Sequence, residues 1–209
     1  MASVAELEAI VAERRETLGE AHPDTLTAML DLAELLWAEG RLSRARQLEE
    51  AVVAGRRQLY GEGHPDTLKA LGKLATTIGA EGDLAEARRL QEHILALAPG
   101  VWGENARDTL RALNNLAGTV AAQGDLPGAR AMLETAIEEL HRQFGDNDSD
   151  TAAAIGNLAA ILWQFGERGE AYWLQAQLVE TQRRLHGDDD PMTRAATTVL
   201  AAMQHDGMP

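Results

Sequence analysis

Columns of identical residues recur along this chain at one fixed interval, and that interval limits the fold more than any other feature. Gly19, Gly61, Gly103, Gly145 and Gly187 stand 42 residues apart. Thr25, Thr67, Thr109, Thr151 and Thr193 keep the same step. So do Leu32, Leu74, Leu116, Leu158 and Leu200, each followed by alanine: Ala33, Ala75, Ala117, Ala159 and Ala201. A second glycine column, Gly40, Gly82, Gly124 and Gly166, precedes Ala45, Ala87, Ala129 and Ala171 by five residues. Self-similarity at such a period marks a repeat architecture, in which each unit buries its apolar face only against its neighbours.

Each unit reads as two helices. In the first full unit Asp24, after Pro23, is placed to cap a helix, its carboxylate accepting orphan backbone N–H groups at the positive end of the dipole. Leu26, Met29, Leu32, Ala33 and Leu36 follow at helical spacing and define one buried face. Gly40 ends the helix where positive φ is often required. A second apolar series, Leu42, Ala45, Leu48, Val52 and Leu59, runs on to Gly61. The pattern predicts first helices at 24–39, 66–81, 108–123 and 150–165, with partners near 43–59, 85–98, 127–143 and 169–185. Pro99 and Gly100 are expected to stop the second partner early.

The ends read as half-units of a single solenoid spanning 1–209. Residues 3–17 align with the end of a second helix, Arg14-Arg15 matching Arg56-Arg57, and residues 191–204 look like a lone first helix. Asp188-Asp189-Asp190 and Gln204-His205-Asp206 supply some polarity, but no strongly polar amphipathic cap helix is evident. Association through an uncapped end is therefore an open reading. Arg194, where other units place Leu or Ala, predicts that the last unit frays first.

Charge narrows the partners. Nineteen Lys and Arg against 33 Asp and Glu leave a formal charge of −14. Nucleic acid and anionic membrane surfaces both need a basic face, so both are excluded as expected partners. No window approaches 18 uninterrupted apolar residues, and the acidic start Met1-Ala2-Ser3-Val4-Ala5-Glu6 is unlike an export signal. The reading is cytoplasmic. Cysteine is absent, which removes disulfides, thiolate nucleophiles and zinc–thiolate sites together. Only two of the basic residues are lysine, Lys69 and Lys73, and the Ala, Gly and Arg content suggests a GC-rich bacterial genome.

Leu32 with the small residues Ala33 and Ala45, and Gly40 between them, gives a pattern that resembles the tetratricopeptide repeat. The 42-residue unit opening Leu18-Gly19-Glu20-Ala21-His22-Pro23-Asp24-Thr25-Leu26, echoed by Tyr60-Gly61-Glu62-Gly63-His64-Pro65-Asp66-Thr67-Leu68, is similar to the kinesin-light-chain variety. The third copy keeps Gly103, Asp108, Thr109 and Leu110 but has Arg107 for proline. The fourth keeps Gly145, Asp150 and Thr151, and the fifth keeps Gly187 and Thr193 with proline displaced to Pro191. HEAT and armadillo repeats share the period, but small-residue columns around a short turn favour the tetratricopeptide pattern. The resemblance covers about residues 4–204 and implies an all-α, right-handed α-solenoid of about ten helices, whose first helices line a concave groove for peptides.

Carried onto this chain, the groove rows are Leu30, Gly72, Asn114 and Gly156; Asp31, Lys73, Asn115 and Asn157; and Thr27, Lys69, Arg111 and Ala153. Lys69 and Lys73 are i, i+4 and share one helix face. With Arg111 they suggest a pocket for an acidic segment or a terminal carboxylate. Asn114, Asn115 and Asn157 can donate and accept at once, as pairing to a peptide backbone requires. The competing reading makes the lysines solvated and the asparagines internal hydrogen-bond partners. Trp37 and Trp163, at equivalent positions, are candidate partner anchors or else packing residues. Gly72, Gly79, Gly118 and Gly156 weaken the first helices and so suggest close approach by a neighbouring helix or a ligand.

Catalytic and metal patterns are weak. Asp146-Asn147-Asp148-Ser149-Asp150 imitates the start of a calcium loop but has Thr151 and Asn157 where glycine and glutamate are needed, so it reads as a polar turn capped by Asp150. His22 and His64 read as turn residues; His93, His141, His186 and His205 are scattered. Phosphate-binding, nucleophile-elbow and dinucleotide motifs are missing. The expectation is a non-catalytic protein- or peptide-binding adaptor needing no cofactor or metal. The alternatives are a self-associating scaffold and a small-molecule-binding or modifying protein whose groove is closed by Trp37 and Trp163.

Overall fold

The computed structural model describes residues 3–103, 106–145 and 148–205. Among them the chain forms ten helices and no strand: α1 (Val4–Leu18), α2 (Pro23–Ala38), α3 (Leu42–Tyr60), α4 (Pro65–Ala80), α5 (Leu84–Trp102), α6 (Arg107–Ala122), α7 (Leu126–Phe144), α8 (Ser149–Phe165), α9 (Arg168–His186) and α10 (Pro191–His205). The first helices α2, α4, α6 and α8 start one residue before the expected positions. Both half-units are present, as α1 and α10.

One boundary is corrected. α5 does not stop at Pro99 but continues to Trp102 with the proline inside its last turns. Pro99 removes one backbone donor there. The helix still continues because Ala98 is fully buried and Val101 and Trp102 pack on the core, while the Pro99 carbonyl accepts from the Gly103 N–H at 2.9 Å.

The caps are also corrected. Asp24 lies in the first turn of α2; the N-cap is His22, whose Nδ1 accepts from the Asp24 N–H at 3.2 Å. His64 caps α4 in the same way, accepting from Asp66 at 3.2 Å, with its ring stacked on Tyr60. In α8 the cap is Asp148 rather than Asp150, and its Oδ1 accepts from the N–H groups of Asp150 and Thr151. Asp190 does the same for α10. His22, His64, Asp148 and Asp190 therefore form one capping column. Asp146 and Asn147, which began the calcium-loop imitation, lie outside the described residues.

Three members of the threonine column tie each first helix to the preceding turn. The buried hydroxyls of Thr25, Thr67 and Thr109 donate to the carbonyls of Gly19, Gly61 and Gly103 at 2.8, 2.8 and 2.7 Å. Those glycines, and the Gly40 column, all have positive φ, which explains their fixed identity.

Residue contacts divide the chain into two compact units, Met1–Ala112 and Leu113–Pro209. In the first, α1, α2, α3, α4 and α5 pack each on the next, and Met29, Leu36, Ala45, Val52, Leu68 and Leu71 are nearly inaccessible to solvent. In the second, α7, α8, α9 and α10 pack in sequence around Leu133, Leu140, Leu158 and Leu162. α10 departs from the pattern on one face. Arg194, Thr197 and Gln204 are exposed at the columns where α2 buries Leu26, Met29 and Leu36. This face carries polar side chains, with Gln204 among those read from the sequence as lending polarity to this end.

Arginine clamps span neighbouring pairs of helices. Arg46 of α3 holds Glu50 at 2.8 Å on its own helix and Glu81, just beyond α4, at 3.0 Å. Arg130 of α7 repeats this with Glu134 at 2.7 Å and Glu167 at 2.9 Å. The Arg46 guanidinium and the Ser43 hydroxyl hold the Glu81 carboxyl below the usual carboxylate range. In α9 Tyr172 takes the place of the arginine, and its hydroxyl accepts from Gln204 of α10 at 2.7 Å.

Candidate functional site

In the first unit α4 presents Lys69 and Lys73 on one exposed face, each about half accessible to solvent. A side-chain carbon added at Gly72, between them, would meet nothing within 4 Å. The backbone here is open to an approaching chain. Gly118 is open in the same sense, whereas Gly79 and Gly156 face neighbouring helices: an added carbon would lie 3.5 Å from Ala87 and 3.2 Å from Leu178. Helix packing thus accounts for two of the four glycines.

The lysines are paired. Lys73 Nζ lies 3.0 Å from Glu34 Oε2 of α2, and Lys69 Nζ lies 3.2 Å from Asp108 Oδ2 of α6. Arg111 also contacts Asp108, at 3.8 Å. The structure therefore brings together Lys69, Arg111 and Asp108 on one side and Lys73 and Glu34 on the other. An incoming carboxylate would exchange with Glu34 or Asp108 rather than meet a bare cation. Exposed pairs of this kind contribute up to about 1 kcal/mol each, so such an exchange is easily reached.

Glu34 and Asp108 are functional candidates that reading the sequence by columns missed. A signal was available. Both ion pairs join residues 39 apart, one repeat length less three, which is one of the offsets at which side chains of successive first helices meet.

The remaining candidates fall into two groups. Leu30 is buried and belongs to the core, while Asp31 and Thr27 are exposed on α2. The Thr27 hydroxyl is used locally, donating to the Pro23 carbonyl at 2.9 Å. Trp37, near the end of α2, is 43% exposed. In the second unit Asn157 of α8 donates from Nδ2 to Asn114 Oδ1 of α6 at 3.1 Å. This is the internal partnership foreseen for such asparagines, yet it leaves the Asn114 amide nitrogen as a donor and the Asn157 oxygen as an acceptor. Asn115 and Ala153 are exposed. Trp163 is half-buried, with the Arg168 guanidinium 5.1 Å from its ring centroid.

Among the described residues no cluster of three His, Asp or Glu side chains is placed to hold a metal ion, and no helix is long and apolar enough to cross a membrane. His22 and His64 act as caps, and His93 Nε2 lies 2.9 Å from Glu62 Oε1; Glu62 also binds Arg57. Hydrogen bonds from Arg57 first, and then from His93, hold the Glu62 carboxyl below its ordinary range.

Two family models match the chain, both described as tetratricopeptide repeat, over residues 25–66 and 108–172. Among solved structures, the nearly identical TPR-like repeats of a kinesin light chain from Podospora anserina are similar: 27% identity, 88% of this chain and 87% of that one covered, TM-score 0.67. A point variant of those repeats gives 28% identity, 87% and 85% coverage, and TM-score 0.69. BtubC (BKLC) from P. vanneervenii aligns over 99% of this chain and 92% of its own with TM-score 0.73; at 17% identity that likeness concerns the fold alone. No curated protein sequence matches significantly.

Proposed function

Because this chain belongs to the tetratricopeptide-repeat family, in its kinesin-light-chain-like form, we propose that it is an adaptor holding an extended, acidic segment of a partner protein on its first helices. Repeats of this family are protein-interaction modules, which supports the general role. The observation that carries the finer reading is the face of α4: the chain's only two lysines stand one turn apart, over an open glycine backbone, paired with exposed Glu34 and half-buried Asp108. Lys69, Lys73 and Arg111 exchange Glu34 and Asp108 for carboxylates of the ligand. Within the second unit Asn114, Asn115 and Asn157 form a separate candidate surface for peptide backbone, with Trp163 as its apolar contact, and Trp37 is the corresponding candidate in the first unit. On a chain of charge −14, a local basic surface draws an acidic segment by contrast with its surroundings. Its proposed setting is the bacterial cytoplasm.

The test is fluorescence anisotropy of a library of labelled Glu/Asp-rich peptides against the wild type and the Lys69→Ala/Lys73→Ala/Arg111→Ala protein, with matched circular dichroism. Salt-sensitive binding lost in the variant supports the reading. Equal binding by both proteins, or binding that survives high salt, overturns the assignment of these three residues.

A further inference from the structure

Glu49 of α3 is buried, 3% exposed, at the contact between α3 and α4. The Thr77 hydroxyl of α4 is its hydrogen-bond partner, and its Oε2 meets no donor at all. The charged groups around it are few. Lys73 of α4 and Glu81 just beyond it are near; Glu34 of α2 is engaged with Lys73, and Arg46 of α3 with Glu50 and Glu81. A carboxylate in this position would be a buried charge with an unsatisfied oxygen, which costs several kcal/mol unless it is paired or neutralised.

The repeat shows how it is satisfied. The same column holds Gln91, Leu133 and Gln175, all buried, two of them amides. Gln175 donates from Nε2 to the Ala196 carbonyl at 2.8 Å. Three units earlier, the register places Glu49 where Gln175 stands and the Ala70 carbonyl where that of Ala196 stands. A protonated carboxyl in that register can donate to the Ala70 carbonyl as the Gln175 amide donates to Ala196, which an ionised one cannot.

We infer that Glu49 is held as the neutral acid, its proton standing in for the amide hydrogen of Gln175, so that the α3–α4 joint and the ion pairing of Lys73 respond to pH. Ionisation removes that donor and places a charge beside Lys73, where Glu49 competes with Glu34 for that cation. Burial pushes the Glu49 carboxyl up, in the same direction. The folded chain then holds this proton more tightly than the unfolded chain. The stabilisation is complete below the unfolded carboxylate range, near pH 4.3, and is lost as pH rises through the folded value. The consequence for ligand rests on the proposed function: with Lys73 engaged internally, the α4 face binds an acidic peptide more weakly at higher pH.

Two measurements on the full chain decide it. A carbon-13 NMR titration of the Glu49 carboxyl in the wild type is expected to show a midpoint above that of ordinary glutamates; a midpoint at or below theirs overturns the inference, whether or not any variant folds. Urea denaturation of wild type and Glu49→Gln from about pH 5 to about pH 8 is expected to show the wild type losing stability relative to the variant as pH rises. A difference constant across that range overturns it. An acidic peptide that binds neither protein refutes the adaptor reading alone and leaves these two results standing.

Discussion

Leu26 and Gly55 form a size-matched pair whose coupling can be worked out from the structure. Leu26 is 2% exposed and lies over the α3 backbone: a methyl carbon built on Gly55 would stand 2.9 Å from its Cδ2 and 3.0 Å from its Cδ1. Three units later the same two positions are Ala152 and Thr181, the small residue now on the first helix and the larger on the second. Gly55→Ala alone gains about 1 kcal/mol of helix propensity and loses about 1–3 kcal/mol to overpacking. The net is neutral to destabilising by about 2 kcal/mol. Leu26→Ala alone leaves a cavity costing about 3–5 kcal/mol. In the Leu26→Ala background the new methyl enters that cavity without a clash, so Gly55→Ala becomes stabilising by about 1 kcal/mol. The sign reverses, and the coupling energy is about 1–3 kcal/mol. The assay is native-state hydrogen exchange of the α2 and α3 amides in the four proteins of the cycle, because stability in repeat chains is local and a single global transition is not assured. If Gly55→Ala shifts exchange by the same amount in both backgrounds, within about 0.5 kcal/mol, the size-matching argument is wrong.

Other outcomes follow from individual positions. His64→Ala removes the cap of α4 and is expected to cost about 1 kcal/mol, while His64→Asp, copying Asp148, restores most of it; equal protection of the first-turn amides of α4 in all three proteins refutes the role of the imidazole. Gly72→Ala meets open space and is expected to stabilise α4 by about 1 kcal/mol, measured as a shift in urea midpoint, and a destabilised protein would show that something packs there. Residues 191–204 are expected to exchange faster than residues 108–123, because exposed Arg194, Thr197 and Gln204 stand where other first helices bury apolar side chains. Equal protection of the two segments would remove that reasoning.

The helices were legible because glycine and Leu-Ala columns carry a backbone requirement and a packing requirement that repeat without change. The caps were harder to read. Histidine is not among the usual capping residues, so Asp24 drew the assignment that belongs to His22, although the His22, His64, Asp148 and Asp190 column was present in the sequence. Pro99 was read by its local effect, and the buried Ala98 and packed Trp102 that carry α5 past it are tertiary facts. At the candidate site the cations could be named from sequence. Their partners Glu34 and Asp108 could not be found by moving along columns, because these two ion pairs join residues at an offset three short of the repeat. Glu49 looked like one more glutamate on an amphipathic helix; only its burial and its correspondence with Gln175 make it unusual.

That offset has a consequence for how such a chain can change length. An ion pair from one first helix to the next, a threonine reaching back to its glycine and an arginine clamped beyond the next helix all depend on counting residues across a joint. Adding or deleting a whole 42-residue unit preserves every one of these counts. Splicing in a standard tetratricopeptide unit of about 34 residues would shift the counts for the ion pairs that span it, while the six-residue link from threonine to glycine would survive. Recombination between copies of this gene segment is therefore expected to be quantised: tolerated changes in length come in steps of one full unit, and each step adds one more pair of helices without redesigning any joint.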